Sequence, residues 1–145
     1  ASPMPAGIGL HPWFLKPIEV AIRGDSVYLS NLDSSPQAIA VRGASDLRTV
    51  GTMADGLDGT WANLAGIPVE LRWPELGIRA EMRVESPSLC IVAASPVGAP
   101  AVAVEPETHA PQGLRRLLRG EPDALTMLAP GERLELVMEL AFGRS

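Results

Sequence analysis

The sequence predicts an all-β protein, an antiparallel β-sandwich or barrel, and three observations support this prediction. Fourteen glycines and fourteen prolines are spread along 145 residues, and such punctuation divides a chain into short segments. Several of these segments alternate apolar and polar residues, which is the period of a half-buried strand. Helical periodicity is strong in only one short stretch, so many strands with one small helix favour a sandwich or barrel.

The first strands are predicted between residues 17 and 29. Ile18, Val20 and Ile22 alternate with their neighbours, and the alternation resumes over residues 27–29. Gly24 and Asp25 form a turn dipeptide between the two runs. We therefore expect a β-hairpin that turns at these two residues.

A second hairpin is predicted in the middle of the chain. Alternating residues cover 69–73 and 78–84, and residues 74–77 supply the loop between them. Residues 89–94 are continuously apolar, as expected of a strand covered on both faces. Residues 101–104 form another short apolar strand.

The end of the chain combines one helix with a closing strand. Leucines 114, 117 and 118 share one face of a helix over residues 111–119, which we expect to lie over the sheet, and arginines 115, 116 and 119 share the other. Residues 134–142 alternate after a Pro-Gly turn, which predicts a strand. A helix would also align several of these residues, so both interpretations stay open.

Charge and hydropathy exclude several classes of function. Twelve basic and seventeen acidic residues give a net charge of −5, so nucleic acid or an anionic membrane would meet like charge. The longest apolar run, residues 89–94, is far shorter than the roughly 18 residues of a membrane-spanning helix. We expect a soluble, cytoplasmic protein that binds neither nucleic acid nor a membrane.

The length of the chain and its cysteine content limit the number of domains and the kinds of cross-link that are possible. On a prior of roughly 100 to 200 residues per domain, residues 1–145 form a single domain. Because Cys90 is the one cysteine in the sequence, neither an internal disulfide nor a cysteine-based zinc site can form. Its apolar sequence neighbours favour a buried side chain with a packing role. The chain opens on Ala1 without an initiator methionine or a secretory signal, so we expect that processing, or a cut within a longer protein, produced this end.

His11 is the first candidate for chemistry. It lies in residues 7–14, Gly-Ile-Gly-Leu-His-Pro-Trp-Phe, where the glycines let the backbone approach a ligand and the aromatic pair can form an apolar wall. The alternative is a structural histidine near a turn. The glycines are not a dinucleotide-binding motif, since the third glycine is missing and no strand precedes them.

Glu105 is the second candidate. It continues an apolar strand in residues 102–109, Val-Ala-Val-Glu-Pro-Glu-Thr-His, where burial could tune it as a base. The alternative is an ion pair with a nearby arginine. The two histidines, Glu105 and Glu107 show neither His-x-His nor His-Glu-x-x-His spacing, so no metal site is predicted. The sequence also lacks the Gly-x-Ser-x-Gly and Gly-Lys-Ser/Thr motifs of common hydrolases and nucleotide-binding proteins.

Asp58 is the third candidate, in Gly-Leu-Asp-Gly-Thr-Trp at residues 56–61. Asp-Gly is first of all a turn signal. A carboxylate can also accept paired hydrogen bonds from neighbouring sugar hydroxyls, while Trp13 or Trp61 could face the C–H surface of a sugar ring.

In chain order, four segments resemble the C-terminal half of the aldose 1-epimerase (galactose mutarotase) family. Residues 5–14 resemble the family's His-Pro-Tyr-Phe segment, and residues 57–61 resemble its Leu-Asp-Asp-Thr-Phe segment. Residues 103–106, Ala-Val-Glu-Pro, resemble its apolar-Glu-Pro strand, and residues 128–132, Leu-Ala-Pro-Gly-Glu, resemble its Leu-x-Pro-Gly-Glu segment. Together these pieces span most of the chain.

The resemblance implies a galactose mutarotase-like sandwich that binds an aldose. It implies that Glu105 is the general base and His11 the general acid in an isomerase that interconverts α and β anomers through ring opening. Asp58 would hold sugar hydroxyls, and Trp13 stands where the family usually has tyrosine. Neither a metal nor an organic cofactor is implied.

The resemblance also implies an incomplete molecule. The family's full sandwich is larger, and its N-terminal half ordinarily supplies further groups to the sugar pocket. Half a sandwich would expose strand edges and an apolar face. We therefore expect the chain to be the C-terminal portion of a larger sandwich, completed by an N-terminal companion chain or a fragment of the same protein.

Besides Trp13, two further departures from the family pattern leave the identity of the sugar open. Gly59 replaces a second aspartate, and Gln112 stands where many relatives carry aspartate. A sugar-phosphate substrate would need basic residues near the pocket, and arginines 115, 116 and 119 are the one cluster available. The alternative function is a non-catalytic carbohydrate-binding or subunit module with the same sandwich.

Overall fold

The computed structural model describes residues 2–30 and 37–145, which form an antiparallel all-β fold with one α-helix, as predicted. The strands are β1 (Met4–Ala6), β2 (Trp13–Leu15), β3 (Glu19–Leu29), β4 (Ile39–Ala40), β5 (Asp58–Trp73), β6 (Ile78–Glu85), β7 (Cys90–Ala94), β8 (Ala101–Glu107), β9 (Thr126–Leu128) and β10 (Val137–Arg144). The α-helix, α1, covers Gly113–Arg119. Strands β1 and β9 form a small separate sheet.

The large sheet is built around β5. Its strand order is β10-β6-β5-β7-β8-β2, and β3 pairs with β5 on the other side. The first half of β5 pairs with β7 and the second half pairs with β6. The sheet therefore has two halves, which we call the β8 half (β2, β8, β7 and the first part of β5) and the β10 half (β10, β6 and the second part of β5).

The two halves fold onto each other around the main apolar core. The core takes alternate residues from both: Trp61, Ile91 and Val104 from the β8 half, and Leu71 and Met82 from the β10 half, all fully buried. This alternation leaves the odd-numbered residues of β8, including Glu105, on the outer face of the β8 half. The candidate site therefore lies outside the main core, on the opposite face of the β8 half, where Glu105 is 8% exposed.

The predicted hairpin at Gly24 and Asp25 is wrong. Both residues lie inside the continuous strand β3, and the register against β5 shifts between Ile22 and Gly24, which marks a β-bulge. A Cβ on Gly24 would lie 2.9 Å from the carbonyl oxygen of Ala62. The glycine therefore allows close approach of two backbones at the bulge instead of a chain reversal.

The hairpin in the middle of the chain is confirmed as β5 and β6. Gly77 ends its loop with φ 61°, a left-handed conformation that favours glycine. The strands predicted over 89–94 and 101–104 are confirmed as β7 and β8. The closing strand is also confirmed over the helical alternative, but it begins at Val137, and residues 134–136 lie in no strand.

The predicted faces of α1 are wrong. Leu114 and Leu118 are 50% and 79% exposed, whereas Arg116 is only 3% exposed. The Arg116 guanidinium lies 4.3 Å from the centre of the Tyr28 ring, and its Nε donates to the carbonyl oxygen of Pro111 at 2.8 Å. The three arginines therefore do not form one solvated face, because a cation–π contact draws one of them inward.

Cys90 is buried, as predicted. Burial raises the pKa of its thiol to about 12, so the thiol stays protonated near neutral pH and is a packing residue instead of a nucleophile. Among the described residues, no helix has the length and apolar character needed to cross a membrane.

Candidate active site

The candidate site is built by the segment before β2, which runs antiparallel to β8. Trp13 pairs with Ala103, and Gly9 forms a bridge with Glu107. Backbone hydrogen bonds from Leu10 to Pro106 and from Thr108 to Ile8 hold this register. The same register sets His11 opposite Glu105, and residues directly opposite on antiparallel strands present their side chains to one face.

His11 and Glu105 are in direct contact. His11 Nδ1 lies 2.7 Å from Glu105 Oε2. The His11 side chain is 63% exposed and that of Glu105 is 10% exposed, so the carboxyl group lies at the sheet surface and the imidazole reaches into solvent. An ionised carboxylate can only accept a hydrogen bond, so Nδ1 carries the hydrogen when Glu105 is ionised. The structure thus brings together the acid and base candidates.

Along the segment before β2, glycines stand opposite the next large side chains that follow Glu105 on the other segment. A Cβ on Gly9 would lie 3.1 Å from Glu107 Cγ and Oε1, and a Cβ on Gly7 would lie 2.7 Å from His109 Nδ1. Alanine at either position would crowd the opposite side chain. The two glycines therefore make room for Glu107 and His109 on the face that carries Glu105.

Glu107 is the acidic residue whose placement the sequence did not predict. Burial raises the pKa of its carboxyl group, the charge of His11 lowers it, and the charge of Glu105 raises it again, with a net increase. One signal could have indicated this placement. The Gly-x-Gly-x-His spacing of residues 7–11 mirrors the Glu-x-Glu-x-His spacing of residues 105–109.

His109 lies deeper, and burial lowers the pKa of its imidazole. Its Nδ1 is buried without a hydrogen-bond partner among the described residues. A Cβ on Gly113 of α1 would lie 2.5 Å from its ring. The ring is therefore packed between the segment before β2 and the start of α1, where a neutral imidazole is favoured.

A donor set with metal-like composition is present. Donor atoms of His11, Glu105 and Glu107 lie within 4.8 Å of one another. Two donors of one tetrahedral zinc ion stand about 3.3 Å apart, whereas the Nδ1 and Oε2 atoms are separated by 2.7 Å. This distance fits a shared hydrogen, so the pair has the geometry of an acid–base couple.

Asp58 and Trp13 lie on the same face as this pair. The residues Asp58, Ala94, Ala103 and Trp13 form one row across β5, β7, β8 and β2. The two alanines between them have short side chains, which leave space above the sheet between Asp58 and Trp13. Ser30 Oγ donates to Asp58 Oδ1 at 2.8 Å, and standard strand geometry puts the Cα atoms of Asp58 and Glu105 roughly 12 Å apart.

Trp13 rather than Trp61 is available to a ligand. The Trp13 side chain is exposed and lies diagonally across the strands from Glu105. Trp61 is fully buried in the core, where its Nε1 donates to the carbonyl oxygen of Ser45 at 2.9 Å. Trp61 therefore cannot face a sugar ring.

The solved structures that are similar to the chain include the following three. A candidate aldose 1-epimerase from Escherichia coli K12 matches with a TM-score of 0.78 at 20% identity, over 100% of this chain and 53% of its own. A galactose mutarotase-like protein from Clostridium acetobutylicum gives 0.81 at 15% identity, over 99% and 49%. A protein from Synechocystis sp. PCC 6803 gives 0.73 at 16% identity, over 99% and 47%. No family model and no curated protein matches the chain.

These similarities confirm the predicted galactose mutarotase-like β-sandwich. At identities of 15 to 20% they concern the fold alone. The chain spans about half the length of the structures it matches.

Proposed function

We propose that the chain carries the acid–base centre of an aldose 1-epimerase, a mutarotase that interconverts the α and β anomers of an aldose. The observation that supports this function is the contact between His11 Nδ1 and Glu105 Oε2. That contact leaves Nε2 of the imidazole and Oε1 of the carboxylate for a substrate. The anomeric hydroxyl and the ring oxygen of a pyranose are bonded to the same carbon, so adjacent groups can serve both.

In the proposed reaction, Glu105 removes the proton from the anomeric hydroxyl while His11 protonates the ring oxygen. The bond between the anomeric carbon and the ring oxygen breaks, the aldehyde rotates, and reclosure gives the other anomer as the two protons return. A histidine suits the acid role, because its usual pKa of about 6.5 lies near neutral pH. Neither a metal nor an organic cofactor enters this chemistry.

Asp58 and Trp13 are the proposed sugar-binding groups. Both lie in one row of the site face, on the same side of the Glu105 row. A carboxylate at Asp58 accepts hydrogen bonds from hydroxyls, and the exposed Trp13 ring offers an apolar surface.

We further propose that a companion segment or chain, the N-terminal part of a larger sandwich, completes the site. The similar structures have about twice as much chain. An apolar groove of about 420 Å³, lined by Trp13, Leu15, Trp73, Leu76 and Phe142 among others, is open beside β2. Four of these five side chains are more than half exposed. A cluster of exposed apolar side chains is typical of a protein interaction surface.

Polarimetry of freshly dissolved α-glucose and α-galactose tests the function, on the chain with any companion that copurifies with it. We expect faster equilibration that falls by roughly 10²- to 10⁴-fold in Glu105→Gln, while sugar binding measured by NMR is retained. Glu81→Gln is the matched control, because Glu81 pairs with Arg83 on β6, far along the sheet. Equal rates in Glu105→Gln and the wild type would refute the proposal.

The second candidate is a carbohydrate-binding module without turnover. The exposure of His11 favours it, because an open site does not exclude water from the reacting groups. Sugar binding at Asp58 and Trp13 without any acceleration, with the companion present, would establish this function instead.

A further inference from the structure

Glu107 lies beside the His11–Glu105 pair, yet the proposed reaction gives it no role. It is two residues from Glu105 on β8, so both side chains face the candidate site. Its carboxyl group has an oxygen within 4.8 Å of both the His11 and the Glu105 donor atoms. The missing side chain of Gly9 leaves the space in which this carboxyl group lies.

The charged neighbours of Glu107 can be named element by element. On β8 it faces Glu105, and from the segment before β2 it faces His11. On β7 its paired residue is Cys90, whose raised pKa keeps it neutral. His109, two residues further along, is also favoured in its neutral form, because burial lowers the pKa of its imidazole. His11 and Glu105 are therefore the groups whose charges act on Glu107.

We propose that Glu107 is the positioning residue of the acid–base pair: its carboxylate, held over Gly9, keeps the His11 imidazole in its proton-carrying form. The catalytic meaning of this inference rests on the proposed mutarotase function. The physical basis is reciprocal, since a positive His11 favours ionised Glu107 and an ionised Glu107 must favour protonated His11 by the same free energy. With Glu107 present, the His11–Glu105 pair would thus keep the proton on the His11 imidazole up to a higher pH than it would without Glu107.

NMR titration of the histidine rings tests this inference without any need for turnover. The chain has two histidines, and His11→Gln assigns their signals. In Glu107→Gln we expect the midpoint of the His11 titration to move to lower pH by roughly half a unit or more, the effect of one charge removed at about 5 Å under high dielectric screening. Glu81→Gln, which removes an equal charge on β6, leaves the midpoint in place.

Gly9→Ala provides a second variant that keeps the charge. Its methyl group would lie 3.1 Å from Glu107 Oε1, so the carboxylate must shift, and we expect a smaller displacement of the His11 midpoint than in Glu107→Gln. A midpoint that moves no more in Glu107→Gln than in Glu81→Gln would overturn the inference. This result can arise with or without mutarotase activity, so the two proposals fail separately.

In protein that accelerates mutarotation, the pH profile of kcat/KM gives an independent readout. We expect both limbs of the profile to move to lower pH in Glu107→Gln, because loss of a negative charge makes His11 and Glu105 easier to deprotonate. The maximum should stay within about tenfold of the wild type, since no group that transfers a proton is lost. A raised KM with both limbs unmoved would overturn the inference and make Glu107 a sugar-binding residue.

Discussion

At the residue scale, the candidate site depends on which side chains stand opposite each other between β8 and the segment before β2. His11 meets Glu105, and Gly9 meets Glu107. The residue types were visible in the sequence, and the resemblance to aldose 1-epimerases predicted the first pair. The register was not visible, because it is set by backbone hydrogen bonds between segments that are far apart in sequence. Glu107 could therefore be seen as an acid but not placed.

Glu70 on β5 gives a residue-scale prediction about pH. Its carboxylate accepts hydrogen bonds from Arg72 Nε at 2.8 Å and Arg23 Nη2 at 2.9 Å. Burial by itself would raise the pKa of Glu70, but the two arginines outweigh burial and lower it. A lowered pKa in the folded state means that the ionised form adds stability above the usual glutamate pKa and that this stability is lost as pH falls.

We expect Glu70→Gln to reduce the free energy of unfolding by about 1–3 kcal/mol near pH 7. The difference from the wild type should shrink as pH falls below about 4, because the unfolded wild type then binds a proton that the folded state binds only at lower pH. Urea unfolding at several pH values measures this difference. Glu81→Gln serves as the control, since its pair with the more exposed Arg83 should contribute less than about 1 kcal/mol. A constant difference across the pH range would contradict the argument.

At the element scale, local sequence pattern predicted the elements whose conformation is set by nearby residues. It did not predict the faces and bulges that depend on contacts with residues far away in the sequence. The β5–β6 hairpin was predictable because its loop and its left-handed Gly77 are local. The inward face of α1 was not, because Arg116 turns toward Tyr28 on a different strand. The same holds for β3, where a glycine followed by an aspartate is typical of a turn but lies inside a bulged strand.

Gly24→Ala tests the bulge in β3. The new Cβ would meet the carbonyl oxygen of Ala62 at 2.9 Å, and backbone cannot move aside as a side chain can. We expect a loss of about 1–3 kcal/mol in the free energy of unfolding. Gly51→Ala is the matched control, because nothing lies within 4 Å of its added Cβ, and its effect should stay within about 1 kcal/mol. Equal stability of the two variants in chemical denaturation would contradict close backbone approach at Gly24.

At the scale of the whole molecule, the count and spacing of short strands predicted an antiparallel sandwich or barrel. The family resemblance favoured the sandwich, and the similar structures confirm it. The resemblance also implied an incomplete sandwich, and the chain spans about half the length of the structures it matches. The position of the uncovered surface could not be predicted. The position of this surface depends on how the two sheet halves pack. Their packing sets the centre of the Phe14 ring on β2 6.2 Å from the centre of the Trp73 ring at the end of β5.

This packing leaves the groove beside β2 open, with Leu15 70% and Phe142 64% exposed on its sides. We expect the 145-residue chain to self-associate through this groove when its proposed companion is absent, because covering such side chains removes apolar surface from water. Sedimentation equilibrium should give an average mass that rises above 15.3 kDa with concentration, and replacing both residues by serine should lower it. Val97→Ser is the matched control, since Val97 is 79% exposed in a turn outside the groove. If Val97→Ser reduced association as much as the double variant, the contact would lie outside the groove.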